Sequence, residues 1–384
     1  MIKIIFWVLI SLIAYTYLIY PYLLKILAKS KKPITPNFYQ PMVSIVIPAY
    51  NEALLIESKI DSICTGNYPL NKIEIIVYSD GSTDATKDIV LKTIEKYPFI
   101  RFYEKTDRNG KAFVVNQLVK LAKYDIVFLT DANIIFAADT INNNVKNYKN
   151  DKIGLVGSYV INQSQIDKNH TIQEESYVSW ENEIKYNEGL IWGCTIAPFG
   201  ACLSFRKKLF GPIPKNFLVD DFFIAATVSK NKYQCIIEKS SVCYEKPNGL
   251  LALEMKRRKR ISCGNYQNLK HFFGLFINIF TPLGFCFWSH KGIRWLVPFF
   301  FVFLFMANFY LYQNGTIYQL GFFFQLFFYC TPLTYQLTKP IKPLNKIIKF
   351  AHYFLMMNFS LLVGFCQYVK GVKVGYWEIS QRVK

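Results

Sequence analysis

Three short apolar runs in the first third of the chain each end abruptly in polar side chains, and this pattern constrains the fold most. The runs and the polar residues after them are 43–48 before Asn51 and Glu52, 73–78 before Asp80, and 126–130 before Asp131. Runs of this length indicate strands buried on both faces. Polar helices separate them, and strand–helix alternation favours a mostly parallel sheet with right-handed crossovers. We therefore predict an α/β domain whose ligand site lies at the carboxyl ends of these strands.

The apolar residues outside this domain indicate a membrane protein. The chain has 384 residues, is 52% hydrophobic and has a positive mean hydropathy. Residues 4–24 carry no charge and are long enough for a membrane helix of roughly 20 residues. This run is longer than a signal-peptide core and lacks a small-residue cleavage site, so we predict an anchor instead. Three more candidate spans lie at about 295–312, 317–337 and 350–369.

The basic residues flank the apolar runs and predict the orientation. The net charge of +19 could indicate a nucleic-acid partner. However, much of the excess lies beside the spans, at Lys25, Lys29, Lys31, Lys32, Lys339, Lys342, Lys346 and Lys349. By the positive-inside rule these residues place the α/β domain in the cytoplasm. We predict no nucleic-acid partner, and an integral protein of the inner cell membrane with lipid around its spans.

These patterns divide the chain into four predicted parts. They are an anchor with its basic flank at 1–35, the cytoplasmic α/β domain at 36–268, an interfacial region at 269–294, and a membrane-associated region with its tail at 295–384. Pro282 and Gly284 interrupt the apolar segment 272–290, so an interfacial helix pair fits it better than a span. His352, Asn358 and Gln367 interrupt the last candidate span. We therefore predict that it lies in the interface or re-enters, so that the basic tail stays in the cytoplasm.

Asp131 and Asn133 are the candidate metal ligands. A carboxylate and a carboxamide two residues apart at a strand end suit a hard divalent cation bound together with phosphates. The alternative is that both are ordinary turn residues. No G-x-G-x-x-G follows the first strand and no G-x-x-x-x-G-K-[ST] occurs, which argues against Rossmann and P-loop sites. The nine cysteines form no C-x-x-C pair and the four histidines lack zinc-ligand spacing, so we expect reduced, mostly buried thiols.

The motifs, taken in order, resemble those of a known family. They are PAYNE at 48–52, DGSTD at 80–84, GKAFVVN at 110–116, TDAN at 130–133 and VDDF at 219–222. This set is similar to that of an inverting family 2 glycosyltransferase with a GT-A fold. RRKRI at 257–261, FWSHKGIRW at 287–295 and WEISQR at 377–382 resemble the membrane-bound, cellulose-synthase-like branch of the same family. Each motif alone is weak, but the ordered set is specific and covers nearly the whole chain.

The resemblance implies a donor site for a nucleotide sugar. The expected donor-binding residues are Asn51, Glu52, Asp80, Lys111 and Asp131. Asp80 would accept a hydrogen bond from the base, Glu52 would contact base or ribose, and Lys111 would contact phosphate. Asp131, helped by Asn133, would hold Mg²⁺ or Mn²⁺ against the diphosphate. The family often has a second aspartate where Asn133 stands, so Asn133 would be a weak or indirect ligand.

The acceptor side is assigned from the same resemblance. The family pattern of an acidic residue followed by aspartate makes Asp221 the base, with Asp220 beside it; alternatively, both only stabilise a helix start. Gly200 matches a turn at which the absence of a side chain admits the acceptor. Arg257 and Arg260 share a helix face and suit a diphosphate, although lipid headgroups could also attract this basic run.

The function implied is transfer of a sugar from a nucleotide-diphosphate donor, with uridine diphosphate as the expected nucleotide, to a lipid-linked or cell-surface glycan. A processive polysaccharide synthase is the alternative enzyme. Ile261 stands where polymerising relatives have tryptophan after the arginine, which weakens that alternative. A transporter is disfavoured because the spans carry almost no internal charge. A sugar nucleotidyltransferase has a similar sheet but needs no membrane spans.

Overall fold

The computed structural model describes residues 1–31, 38–162, 172–245, 251–334, 342–372 and 375. Its central feature is an eight-stranded sheet formed by β1 Val43–Ala49, β2 Ile73–Asp80, β3 Ile100–Lys105, β4 Ile126–Thr130, β5 Ile134–Phe136, β6 Ile153–Asn162, β7 Cys202–Arg206 and β8 Gln234–Glu245. The strand order is β3-β2-β1-β4-β7-β6-β8-β5.

The helices of the α/β domain are α3 Ile56–Cys64, α4 Thr86–Lys96, α5 Lys111–Leu121, α6 Thr140–Val145, α7 Ile172–Trp192 and α8 Asp220–Lys230. The segments outside the sheet domain are α1 Ile2–Ala14, α2 Tyr20–Ala28, α9 Leu251–His271, α10 Phe273–Phe276, α11 Pro282–Phe287, α12 Ile293–Leu311, α13 Thr316–Thr334 and α14 Lys342–Lys370. The helices of the domain cover both faces of the sheet, whose two faces form separate apolar cores.

The first half of the sheet confirms the predicted α/β architecture. Strands β3, β2, β1 and β4 are all parallel neighbours. Their buried apolar side chains explain why the runs are nearly continuous in the sequence, because both faces are covered. Because these strands are parallel, the ends of β1, β2 and β4 lie at one edge. The predicted strands are correct to within two residues at these ends.

The second half of the sheet mixes strand directions. β7 is antiparallel to both β4 and β6, β8 is parallel to β6, and β5 is antiparallel to β8. Four of the seven pairings are therefore parallel, as predicted. The antiparallel β7 has a direct consequence for the site: Cys202 pairs with Thr130, so the turn containing Gly200 arrives beside Asp131.

Among the described residues, three helices are long and apolar enough to cross a membrane: Ile2–Ala28, Pro282–Asn314 and Ile348–Lys370. The first and second agree with predicted spans, although both are longer. The predicted span at 317–337 corresponds to α13, which is not one of the three, and its last residues lie outside the described ones. The last segment qualifies by length and composition, so its predicted placement in the interface stays a prediction.

Pro282 follows a break at 277–281 between two helices and begins the second of them. Pro282 occupies the first position of α11, where a proline costs no hydrogen bond, and the Thr281 hydroxyl caps the helix by accepting from the Gly284 amide at 3.1 Å. A helical run then continues to Asn314. Only Phe273–Phe276 remains as a separate short helix, and the predicted boundary at 294 falls inside the continuous run.

Candidate active site

The loops that follow β1 and β2 are tied to each other. Asn51 adopts a left-handed backbone conformation with φ 51°. Its side-chain oxygen accepts a hydrogen bond from the backbone amide of Thr83 at 2.7 Å. The backbone amide of Asn51 donates to the Ser82 hydroxyl at 3.0 Å. The Glu52 amide donates to the Thr86 hydroxyl at 2.8 Å. The structure therefore brings together the two motifs that the sequence predicted to share a site.

Asp80 organises the neighbouring loop. Its side chain is buried, one carboxylate oxygen accepts from the Asn109 amide at 2.8 Å, and the other accepts from the Gly110 amide at 2.7 Å. Gly110 has φ 93°, which favours glycine, and α5 begins at the next residue. Any contact of Asp80 with a nucleotide base would use the remaining lone pairs of these oxygens. Asp80 therefore also sets the position of Lys111.

Lys111 bridges two carboxylates from different elements. Its Nζ lies 2.8 Å from Oδ1 of Asp131 and 3.1 Å from Oδ2 of Asp220. Burial lowers the pKa of Lys111, but the attraction of the two carboxylates is larger. The pKa of Lys111 is therefore raised above its usual value. Lys111 therefore carries a full positive charge at the edge where β4 and α8 meet.

Asp131 and Asn133 are suited to an ion that arrives with a phosphate. Among the described residues, no group of three histidine, cysteine, aspartate or glutamate side chains could hold a metal. The Asp131 side chain is about a third exposed, and its amide is fixed by the Ala201 carbonyl at 3.2 Å. One carboxylate and one amide match Mg²⁺ or Mn²⁺, which take oxygen ligands from one or two side chains plus substrate phosphates. The residues therefore fit the predicted metal.

Asp220 and Asp221 open α8 but have different surroundings. Asp220 contacts Lys111, whereas Asp221 accepts from the Phe222 amide at 2.6 Å. A Cβ at Gly200 would lie 3.1 Å from Oδ2 of Asp221, so the glycine turn leaves this carboxylate open. Burial and the neighbouring Asp220 raise the pKa of Asp221 to about 6. A carboxylate of this pKa is well matched to general-base work near neutral pH.

The two arginines of the basic run have different partners. Nη1 of Arg257 lies 3.4 Å from Glu245 at the end of β8 and 3.9 Å from Glu254. Arg260 interacts with the acidic cluster: burial and Arg257 lower its pKa, while the carboxylates of Asp131, Asp220 and Asp221 oppose that shift. The structure thus brings Arg260 to the predicted donor site and pairs Arg257 with glutamates beside it.

A buried charged cluster joins α7 to the FWSHKGIRW motif, and no sequence pattern described above predicts it. We define the Glu181 cluster as Glu181, Glu188, His290, Lys291 and Arg294. The Glu181 carboxylate lies 2.6 Å from Lys291, 3.1 Å from Nε2 of His290, and within contact of Arg294. Nδ1 of His290 lies 3.0 Å from Glu188. The sequence does contain one indication of this cluster: Glu181 and Glu188 are seven residues apart and therefore lie on one face of a helix.

Two buried lysines were also missed. Lys59 on α3 is fully buried, and burial lowers its pKa to about 7. Its Nζ donates to the Thr130 hydroxyl at 2.9 Å, and that hydroxyl donates to the Ala201 carbonyl at 2.9 Å. This chain of bonds links β4 to the turn after Gly200. Lys185 on α7 lies over the ring of Phe199 with its Nζ 3.4 Å from the ring centroid.

Comparisons with known proteins agree with this geometry. Residues 44–210 match the family described as Glycosyl transferase family 2. The poly-beta-1,6-N-acetyl-D-glucosamine synthase of Staphylococcus aureus (strain COL) is 28% identical over 234 residues, which are 59% of this chain and 55% of that protein. The synthase of the same description from Staphylococcus epidermidis is 25% identical over the same shares. The chain thus spans about half the length of the curated relatives it matches.

A solved structure shares the fold. The mannosyltransferase of Pyrobaculum calidifontis, in complex with GDP-Man and Mn²⁺, superposes with a TM-score of 0.69 at 23% identity, covering 93% of this chain and 99% of that one. The fold is therefore the GT-A type, attached to helices long enough to cross a membrane. Residues 44–210 are similar to the glycosyltransferase domains of family 2.

Proposed function

We propose that this protein is an inverting, metal-dependent glycosyltransferase that moves a sugar from a nucleotide-diphosphate donor to a lipid-linked or cell-surface glycan. The observation that carries this proposal is the convergence of Lys111, Asp131 and the Asp220–Asp221 pair at one sheet edge. The Staphylococcus relatives, named as polysaccharide synthases, support a cell-envelope glycan as the acceptor. Their name also favours a uridine diphosphate sugar, whereas the Pyrobaculum neighbour holds GDP-Man, so both nucleotides belong in the test.

On the donor side, Asp131 with Asn133 would hold Mg²⁺ or Mn²⁺, which neutralises charge on the departing diphosphate. Lys111 begins α5 and presents a full positive charge at the same edge. Arg260 adds a second cation there, and arginine binds phosphate oxygens in a bidentate manner. Together these groups bind the diphosphate and orient the sugar towards α8. Asn51 and Glu52 belong to the tied loops that would enclose the nucleoside.

On the acceptor side, Asp221 acts as the base. Its carboxylate takes the proton of the acceptor hydroxyl as that oxygen attacks the anomeric carbon of the donor. The bond from this carbon to the diphosphate oxygen breaks from the opposite side, which inverts the configuration. Gly200 leaves room for the acceptor against the Asp221 carboxylate. Asp220 stays paired with Lys111 and keeps the proton acceptor distinct from the diphosphate-binding cations.

A processive synthase is the second candidate, because both curated relatives described above are named as synthases of a polymer. Ile261 after Arg260 argues against it, since the aromatic platform of polymerising relatives is missing. Product length separates the two activities.

The experiment uses the full chain in native membranes with radiolabelled uridine and guanosine diphosphate sugars. We expect nucleotide release together with label in the lipid or glycan fraction, dependent on Mn²⁺ or Mg²⁺ and absent in Asp131→Ala. A ladder of products would favour the processive synthase, and a single product would favour one addition. Absence of transfer from every donor in membranes that contain the folded protein would refute the proposal.

A further inference from the structure

Lys185 is a buried cation whose ammonium has no oxygen partner among the described residues. The residue is only 4% exposed, and its Nζ rests on the face of the Phe199 ring. In the described part of the chain this Nζ makes neither a hydrogen bond nor an ion pair, and it contacts the ring instead. Burial lowers the pKa of Lys185 to about 7, so its charged form is costly here and an oxygen of a bound molecule would stabilise it.

The two glutamates that flank Lys185 on the same face of α7 are already occupied. Glu181 and Glu188 lie one turn before and one turn after it on the same face. The Glu181 carboxylate binds Lys291, His290 and Arg294, and the Glu188 carboxylate binds His290 and the Tyr20 hydroxyl at 2.9 Å. The ammonium of Lys185 is therefore left for another partner.

The position of Lys185 points to the acceptor side of the site. The ring of Phe199 contacts the Lys185 ammonium, and Phe199 directly precedes Gly200. Gly200 in turn faces the Asp221 carboxylate. Lys185 and Asp221 also interact electrostatically, whereas the donor-side cation Lys111 is engaged with Asp131 and Asp220. The ammonium thus belongs to the Asp221 side of the site.

We propose that Lys185 is an acceptor-binding residue, whose ammonium donates a hydrogen bond to an oxygen of the acceptor sugar beside the hydroxyl that Asp221 deprotonates. The proposal rests on the proposed function and names a specificity-determining residue for it. The bond orients the reacting hydroxyl towards Asp221, and the protonated amine favours the ionised form of Asp221.

The charges around the site favour an uncharged sugar over a phosphate as the ligand of Lys185. The carboxylates of Glu181, Asp221 and Glu188 all act electrostatically on Lys185. A further anion bound at Lys185 would be repelled by these three carboxylates. A hydroxyl or amide oxygen satisfies the ammonium without that cost.

Lys185 also affects the pH dependence of transfer, because it acts on the pKa of Asp221. The charged groups acting on Asp221 are Asp220 from α8, Lys185 from α7, Lys111 from α5 and Arg260 from α9. Asp220 raises the pKa of Asp221, and the cations lower it. Removal of Lys185 therefore raises that pKa further, and the acidic limb of the rate profile moves to higher pH.

The test compares Lys185→Met with Lys185→Arg, and uses Lys239→Met as a matched control because Lys239 pairs with Glu183 on the exposed face. The probes are radiolabelled uridine diphosphate N-acetylglucosamine and a β-1,6-linked N-acetylglucosamine trimer. For Lys185→Met we expect the KM for the trimer to rise about tenfold to a hundredfold, the size expected for a lost hydrogen bond from a charged group. Uridine diphosphate binding and donor hydrolysis by water should remain, and Lys185→Arg should restore the wild-type pH limb.

An unchanged KM for the trimer and an unchanged pH limb in an active Lys185→Met variant would overturn this inference and leave the proposed function intact. If the wild type binds the nucleotide but transfers to no acceptor, the proposed function fails and the inference with it. If Lys185→Met fails to bind nucleotide because it misfolds, the Lys185→Gln variant is used to test the proposal instead. That variant keeps a donor but loses the charge, so we expect a shifted pH limb, and an unshifted limb refutes the proposal.

Discussion

Asp221 and Asp220 are adjacent in sequence, yet their environments give them different chemistry. Lys111 neutralises Asp220, whereas Asp221 has a pKa raised to about 6 by burial and by Asp220. In the proposed mechanism the deprotonated form of Asp221 is the base, so the activity is expected above this pKa and is lost as pH falls through it. This separation of roles depends on the position of one lysine on another helix.

For Asp221→Asn we expect turnover to fall by about 10²–10⁴, because only the proton acceptor is lost. Nucleotide binding should survive, since Lys111 and Asp131 keep their contacts. Initial rates against pH supply the second measurement: the wild-type rate should fall below about pH 6, and the residual rate of the variant should not show that limb. Wild-type turnover in this variant would move the base assignment to Asp220.

Asp131→Ala should weaken both donor binding and turnover, unlike Asp221→Asn. The substitution removes the carboxylate that would hold the metal and one of the two partners of Lys111. We expect the increase in uridine diphosphate affinity that Mn²⁺ produces to disappear, measured by calorimetry with and without the ion. Asp151→Ala is the control because the Asp151 side chain is fully exposed. A retained Mn²⁺ effect would contradict the assignment of Asp131.

Gly200→Ala tests the acceptor side at the scale of one methyl group. The new Cβ would lie 3.1 Å from the Asp221 carboxylate, which is itself held by the Phe222 amide. A displaced side chain of this kind costs about 1 kcal/mol, so we expect transfer to fall roughly threefold to tenfold with nucleotide affinity unchanged. Gly274→Ala should have no effect, because a Cβ there meets nothing within 4 Å.

At the scale of elements, the Glu181 cluster joins the catalytic domain to the membrane helices. Glu181 and Glu188 lie on α7, and their partners lie at the start of the helical run that continues as α12. Arg294 also donates to the Thr16 carbonyl of the N-terminal helix at 3.3 Å. Three elements therefore meet at one buried carboxylate, whose pKa the surrounding cations hold well below its usual range against the effect of burial.

We expect Glu181→Gln to destabilise the protein by about 3–5 kcal/mol, because it leaves buried cations without their partner. Glu183→Gln is the matched control on the same helix, and its exposed pair with Lys239 should contribute at most about 1 kcal/mol. Thermal unfolding in detergent compares the two. Since the pKa of Glu181 is depressed, its contribution should be lost as pH falls. Equal stability of both variants would contradict this role.

At the scale of the whole molecule, the last helix returns the chain to the catalytic domain. α14 packs along α9, and a Cβ at Gly364 would come within 2.6 Å of the Lys259 carbonyl, so only glycine permits this approach. The Asn216 side chain donates to the Val372 carbonyl at 3.3 Å, and Gly375 packs against Lys215. The chain after α14 therefore starts beside the α/β domain, and the cytoplasmic position of the tail stays a prediction.

Cysteine labelling of intact cells tests this topology. In a variant without the exposed Cys366, we expect a membrane-impermeant reagent to label Asn314→Cys rapidly, because Asn314 ends the second candidate span. We expect Ser380→Cys, outside the described residues, to react only after the membrane is opened. Rapid labelling of Ser380→Cys from outside would place the tail on the other side of the membrane.

The local sequence determined the first half of the sheet, the N-terminal and second candidate spans, and the identity of the polar groups at the strand ends. These features depend on runs of neighbouring side chains, and the carboxyl ends of parallel strands share an edge whatever the remaining packing is. The ordered motifs extended this to the GT-A fold and to the choice of Asp131 and Asp221. A proline in an apolar segment can either interrupt a helix or begin one. The Thr281 cap and the helix that continues after it showed that Pro282 begins one.

Tertiary structure alone decided the contacts between distant segments. The bridge from Lys111 to Asp220, the place of Lys185 over Phe199, and the Glu181 cluster join elements that no local pattern relates; Glu181 and His290 are 109 residues apart. Burial of a charge is favourable only when its partner arrives from another element, and periodicity within one helix does not reveal that partner. The protonation states on which the proposed chemistry depends therefore follow from packing. The types of residue that perform this chemistry are determined by the sequence.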